Sequence, residues 1–413
     1  MRKCLAFILA AMLLLLCGCA QVPDTTETTQ DPYAGYPTIN QKLTWDAINA
    51  IPIKREDMTV EEMRDLCVQF FEFSKTALWI PDRSWSYTKN ENDSPDEMVQ
   101  GQIYGGLPYI GVASGNVYRL MDYIHEESGV VDMTQPIAEP KLFGNQCSIG
   151  SYWGWARVIN SADYDWTFGM VHNRGFLRVG PYTYDDSQLR FNGDVFETTD
   201  VIAENGSEIM CRSYAQMLHA DGLVTYHAGA GHAMMCYTDP VVVYAADGTI
   251  DGNQSYLHII DQHSNWSEAT NEAGDTFLHK NFIGKKFTFN ELMIEGYIPF
   301  TFAEFLGTDP VEPTEVAFSH SGATITPMEL NGSTVTANYG ISDIYALVKD
   351  KEGNTVHSCV RRAGSAGVME LNFFKLVTPS EWEKYTGGEY TLEVVCQLGT
   401  GERPTVYTGQ LVK

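Results

Sequence analysis

Apolar and polar positions divide the chain into stretches of distinct texture. Residues 5–16 are an almost unbroken apolar run behind Arg2 and Lys3. From Gln21 to about Pro37, Thr, Asp, Gln and Pro dominate and apolar positions are sparse, as in a flexible tether. Helical periodicity begins further on. Thr59-Val60-Glu61-Glu62 reads as an N-cap with acids in the first turn, opening a helix expected to run to about residue 79. A second helix is expected over 114–127. Ile149, Tyr152, Trp153 and Ala156 recur at helical spacing and predict a buried helix over 147–160 that begins at Cys147. Residues 208–218 read as one more short helix. The period then shortens to two, predicting strands over 223–226, 232–237, 241–244 and 256–261.

Helices followed by strands predict an α+β domain over 41–306. Pro310 and Pro313 punctuate a linker over 308–314. Beyond it the short alternating strands of 314–413 predict an all-β, immunoglobulin-like sandwich.

The amino terminus adds a destination. A positive start and a short apolar run make a signal peptide rather than a membrane span, for which the run is too short. The run ends in Leu16-Cys17-Gly18-Cys19, an apolar residue and small ones before a cysteine, which resembles the lipobox of bacterial lipoproteins. The expectation is a signal peptide and lipobox over 1–19, lipidation at Cys19, a tether over 20–40, and a mature protein in the cell envelope that meets the membrane through its lipid anchor alone.

Charge narrows the partners. The chain carries 53 acidic against 27 basic residues, a formal net charge of −26. Loss of residues 1–18 removes Arg2 and Lys3 and no acid, so the mature chain is more acidic still. Such a surface repels nucleic acid and anionic lipid. Of the nine cysteines, three lie in the signal and lipobox; the other six lack the dense spacing of a disulfide scaffold and contain no CxxC pair. Cys359 and Cys396 are near enough in sequence to pair. His219, His227 and His232 fit neither a helical HExxH nor a zinc-finger spacing, so no metal and no cofactor is expected.

The chemistry concentrates in three places. Cys147 begins a predicted helix, where free N–H groups and the helix dipole stabilise a thiolate. His232 follows Gly231 at the start of a predicted strand. Asp261 ends another strand, with His258 and Gln262 as alternatives for the same role. A cysteine nucleophile needs a base to take its proton, and the base needs a polar group to hold its tautomer. Cys236, on the His232 strand, reads as packing.

These positions carry a resemblance to a known family, the NlpC-type cysteine peptidases of bacterial cell walls, within the papain-like superfamily. Gly106-Leu107-Pro108-Tyr109 resembles the family's G-x-P-Y, Cys147-Ser148 its Cys-Ser at a helix start, Asp221-Gly222-Leu223-Val224 its G-D-L-V with two residues inverted, and Gly231-His232-Ala233 its G-H-V strand. The pieces run in family order over about residues 100–265, although Gln146 stands where the family carries Asp and Ile149 where it carries Gly. The resemblance implies a papain-like fold, Cys147 as nucleophile, His232 as base, Asp261 as the orienting residue, Tyr109 at the oxyanion, and a cell-wall peptide as substrate. A second register lays residues 145–153 on papain's own motif. It makes Gln146 the oxyanion residue and puts Tyr152 in the nucleophile's place, which implies a catalytically inactive surface binding lipoprotein.

Overall fold

The computed structural model describes residues 33–412 except 89–94, 112, 139–142, 161–166, 173–174, 185–196, 228, 322–324, 326–329, 331, 363–367, 371–378, 384 and 386–387. The lipobox and Cys19 therefore lie outside the described residues. Among those described, no helix is long and apolar enough to cross a membrane.

The helix Val60–Thr76 starts where its residues require. Thr59 accepts from the Glu62 N–H while the Glu62 carboxylate accepts from the Thr59 N–H, a reciprocal capping box. Met63, Leu66, Cys67, Phe70 and Phe71 recur at three- and four-residue steps and all are buried. They pack on the helix Cys147–Trp155, every residue of which is buried. Two glycines set how closely the helices approach. A Cβ on Gly154 would lie 2.9 Å from Phe71 Cβ, and one on Gly150 would lie 2.8 Å from Lys75 Nζ.

Both helices lie against a sheet. Its strands are β1 (Leu78–Pro81), β4 (Tyr104–Gly105), β5 (Ile124–His125), β6 (Val130–Val131), β7 (Leu177–Arg178), β8 (Gly222–His227), β9 (Ala230–Val241), β10 (Tyr256–Thr270), β11 (Thr276–Thr288) and β12 (Ile298–Thr301); β2 (Trp85–Tyr87) and β3 (Asp96–Met98) form a separate pair. The ten run in the order β5-β6-β1-β4-β11-β10-β9-β8-β12-β7. At the centre, β8 to β11 form an antiparallel meander. The β1–β6 and β4–β11 pairs are parallel.

The expected class, an α+β papain-like domain ahead of an immunoglobulin-like sandwich, is corrected. Strand outweighs helix, 37 % to 23 %, and a ten-stranded sheet rather than a helical half organises the body. The difference arises where the apolar pattern misleads. The helix expected over 114–127 is only Val117–Met121. The strand expected over 256–261 runs on to Thr270, and β11, thirteen residues with His279, Lys280, Lys285 and Lys286 among them, carries no apolar alternation to announce it. Such cations sit in a strand by holding their ammonium groups over aromatic rings: Lys285 Nζ lies 4.3 Å from the Phe282 centroid and Lys286 Nζ 3.7 Å from that of Tyr256. The helix expected over 208–218 is instead Thr198–Tyr214, kinked at Gly206, whose φ of 77° suits glycine.

Beyond residue 315, β13 (Val316–His320), β14 (Ser333–Ala337) and β17 (Val368–Glu370) form one sheet, and β16 (Thr355–Arg362), β15 (Ile341–Lys349), β18 (Glu389–Leu398) and β19 (Thr405–Val412) another. Val335, Ile344, Leu392 and Val394 share a core distinct from that of the first body. Residues 37–413 nonetheless form one compact unit. Arg119 Nε donates to Asp343 Oδ1 at 2.9 Å with both side chains buried, and Asn116 Nδ2 donates to Ser342 Oγ at 2.7 Å. Cys359 and Cys396 lie on strands flanking β15 and are not joined in a disulfide.

Candidate active site

The segment ahead of Cys147 is fixed by backbone pairing. Asn145 N–H donates to Pro108 C=O at 3.1 Å, and Ile110 N–H donates to Asn145 C=O at 3.0 Å. This bridge joins Tyr109 to Asn145, two residues before Cys147. The helix begins immediately after. Its N-cap, Gln146, is in extended conformation and makes no side-chain cap, so the first-turn N–H groups stay available around Cys147. Ser148 and Ala233 both donate backbone N–H groups to the Cys147 sulfur.

His232 and Asp261 arrive on neighbouring antiparallel strands. Asp261 on β10 pairs with Met234 on β9, two residues along from His232. Alternation then puts His232 and Met234 on one face, and the carboxylate meets the ring: His232 Nε2 and Asp261 Oδ2 are 2.9 Å apart. Asp261 Oδ1 accepts the Phe282 N–H at 2.8 Å, so both oxygens of the carboxylate are engaged. With Nε2 on Asp261, Nδ1 is the ring nitrogen left for the thiol, with which His232 also hydrogen bonds. The structure thus brings Cys147, His232 and Asp261 into one chain of contacts across 114 residues of sequence. The His232 side chain remains 23 % exposed while Asp261 is 4 % exposed, so the chain opens to solvent at the imidazole.

Electrostatics favour the ionised form. Burial alone pushes the Cys147 thiol up, but the charge and hydrogen bond of His232 and the Ala233 and Ser148 N–H groups outweigh it, leaving the thiol below its ordinary value. Burial likewise pulls His232 down, but the thiolate and the hydrogen bonds to Asp261 and Cys147 carry it up to about 10. Burial raises Asp261, and the His232 hydrogen bond and charge, His263 and the Phe282 N–H more than reverse that, holding it below the usual carboxylate range. All three directions favour the set of thiolate, imidazolium and carboxylate. The other buried thiols behave oppositely: burial pushes Cys67 and Cys236 well above the ordinary thiol value, and Cys236 donates to Thr238 C=O at 3.1 Å.

The remaining candidates fall elsewhere. His258 faces Thr238 Oγ1 at 3.2 Å, away from His232. Gln262 is fully buried beneath the site, accepting from Lys75 and donating from Nε2 to Leu107 C=O at 2.9 Å. Tyr152 stacks edge-on against Trp153 and is buried, and it is Cys147 that bonds to His232. Asp221 forms a buried ion pair with Arg64 at 2.8 Å and braces the start of β8. His219 sits on Asp239 at 2.9 Å, with the exposed Glu61 and Asp65 near its other nitrogen, and does not converge with His227 and His232.

Sequence reading missed Lys75. It sits in the last turn of its helix, where a cation is ordinary, and its burial under the site follows only from the approach of the Cys147 helix. No family model matches the chain, and no curated protein is found to be similar to it.

Proposed function

We propose that the chain is an envelope-anchored cysteine hydrolase that cleaves amide bonds in cell-wall peptides. The single observation that carries this reading is the contact chain from Cys147 through His232 to Asp261, with the cysteine at a helix N-terminus. The thiolate attacks the substrate carbonyl carbon. Negative charge gathers on its oxygen, for which the Cys147 N–H and the Tyr109 hydroxyl are the assigned donors. The imidazolium proton passes to the amide nitrogen as the C–N bond breaks, leaving a thioester on Cys147. Water, giving its proton to the now neutral imidazole, attacks the thioester and releases acid and thiolate. Asp261 holds the ring in the orientation that both transfers need. No metal or cofactor enters these steps.

Two features support the choice of substrate. One is the order of the 106–109, 147–148, 221–224 and 231–235 segments along the chain. The other is the lipobox at Cys19, which would hold the enzyme beside the wall. The test is digestion of purified wall peptides by the exported protein, with products read by mass spectrometry. Cys147→Ala is expected to abolish new amine and carboxyl termini while the protein stays folded. Retained cleavage by that variant would place the chemistry elsewhere.

A further inference from the structure

Beneath the site lies a cation that the steps above do not use. The Lys75 side chain is 1 % exposed, yet among the described residues its ammonium pairs with no carboxylate. It donates to Gln262 Oε1 and lies 4.7 Å from the Phe71 ring centroid. An ammonium in such a place loses its hydration, a cost that nearby charge must offset. The nearby charges are those of the site, since Lys75 lies within electrostatic reach of both Asp261 and Cys147. A thiolate, an imidazolium and a carboxylate sum to one net negative charge in a buried cleft. Lys75 is the cation that makes the sum zero.

The surroundings are shaped to hold it there. Gly150, one turn into the Cys147 helix, has no side chain where a Cβ would lie 2.8 Å from Lys75 Nζ and 3.3 Å from Gln262 Cβ. Gln262 follows Asp261 on β10 and therefore points to the opposite face, toward the helices. Its amide is spent in both directions, accepting from Lys75 and donating to Leu107 C=O. The same lysine supports that segment from below: a Cβ on Gly106 would lie 3.0 Å from Lys75 O, and Gly106 takes a φ of 68°. One hydrogen-bonded path thus runs from Lys75 through Gln262 to Leu107, two residues before Tyr109.

We propose that Lys75 is a positioning residue of the hydrolase site, its ammonium balancing the negative charge of the Cys147–His232–Asp261 set and, through Gln262, fixing the Leu107–Tyr109 segment beside the nucleophile. This rests on the hydrolase reading. Burial pulls the Lys75 amine down to about 7 against the upward pull of Asp261 and Cys147, so the charge is present in acid and weakens above neutrality.

The experiment is the pH dependence of iodoacetamide alkylation at Cys147 in the whole exported chain, with peptide mapping and a thermal melt of each variant. Lys75→Met, of similar length and no charge, is expected to raise the apparent thiol pKa by about one unit, which is about a tenfold loss of thiolate on the acid side. It should lower kcat more than it raises KM and leave Tm equal or higher, because the lost hydration of the buried ammonium outweighs the pull of Asp261 and Cys147 on it. Lys75→Arg is expected to recover part of the alkylation shift. If Lys75→Met does not fold, Gly150→Ala decides, since its methyl displaces the ammonium without removing it and should shift the profile the same way. A folded variant of either kind with an unchanged profile overturns the role of Lys75. A wild-type Cys147 that alkylates no faster than an ordinary thiol overturns the hydrolase reading itself.

Discussion

Cys147 is buried to 3 % exposure, a position that by desolvation alone would keep a thiol protonated and inert. What reverses this is local and nameable: an imidazolium on one side and two backbone N–H groups on another. Much of that was legible, because the residue types and their order along the chain already demanded a base for Cys147 and a partner for His232. Lys75 and Gln262 were not legible, since a lysine in a last helical turn and a glutamine beside an aspartate carry no local signal of burial. The coupling has a pH signature. His232 is raised from 6.5 to about 10, so the stability it contributes is complete below 6.5 and is lost as the pH rises through about 10. Cys147 and Asp261 are lowered, so their contributions are present at higher pH and are lost as the pH falls through their folded values. Between 6.5 and the ordinary thiol value of 9.0 the two contributions run against each other, so the wild type should lose stability relative to Cys147→Ala as the pH is taken from 9.0 toward about 10, read as converging denaturation midpoints. Parallel curves across that range would show that no thiolate–imidazolium pair exists.

At the scale of elements, the helix Val60–Thr76 was readable at its start, because its capping box and its buried positions are local patterns, whereas its end, expected near residue 79, gives way to β1 at Leu78. The strand β11 was not, because its stability comes from the strands beside it and its lysines read as surface. The contact between the two helices was also invisible, as it depends on two glycines whose meaning appears only when a second helix lies on them. Gly154→Ala tests that contact. Alanine gains about 1 kcal/mol in helix propensity. Against this, its Cβ would lie 2.8 Å from Met235 Cε and 2.9 Å from Phe71 Cβ, and such overpacking costs about 1–3 kcal/mol. The clash with a backbone-anchored Cβ is expected to win, for a net loss of up to about 2 kcal/mol by chemical denaturation. Slower Cys147 alkylation should accompany it, because the helix that carries the nucleophile must shift. A stabilised variant would mean that the helices are not in close contact there.

At the scale of the molecule, residues before and after the proline-punctuated segment 308–314 belong to two hydrophobic cores. That says nothing of how tightly the two bodies are joined, and the joint is made of residues that a sequence shows only as ordinary charges. Arg119 on the first body and Asp343 on the second are 1 % and 0 % exposed. Arg119 also donates to the Ser342 and Ser114 carbonyls, so most of its guanidinium is committed. Removing one member of a buried pair strands the other, at a cost of about 3–5 kcal/mol. Arg362 Nη1 stands 3.3 Å from the same Asp343 oxygen and would still shield it, which favours the lower end of that range. Arg119→Ala is therefore expected to destabilise the chain by about 3 kcal/mol. It should also split one denaturation transition into two as the bodies uncouple. A protease cutting within 308–314 should leave the two wild-type fragments associated through gel filtration but let those of Arg119→Ala separate. Arg119→Met combined with Asp343→Leu, which removes both charges together, should recover most of the loss. Separation of the wild-type fragments on cutting, with no effect of Arg119→Ala on stability, would show that the buried pair does not join the two bodies.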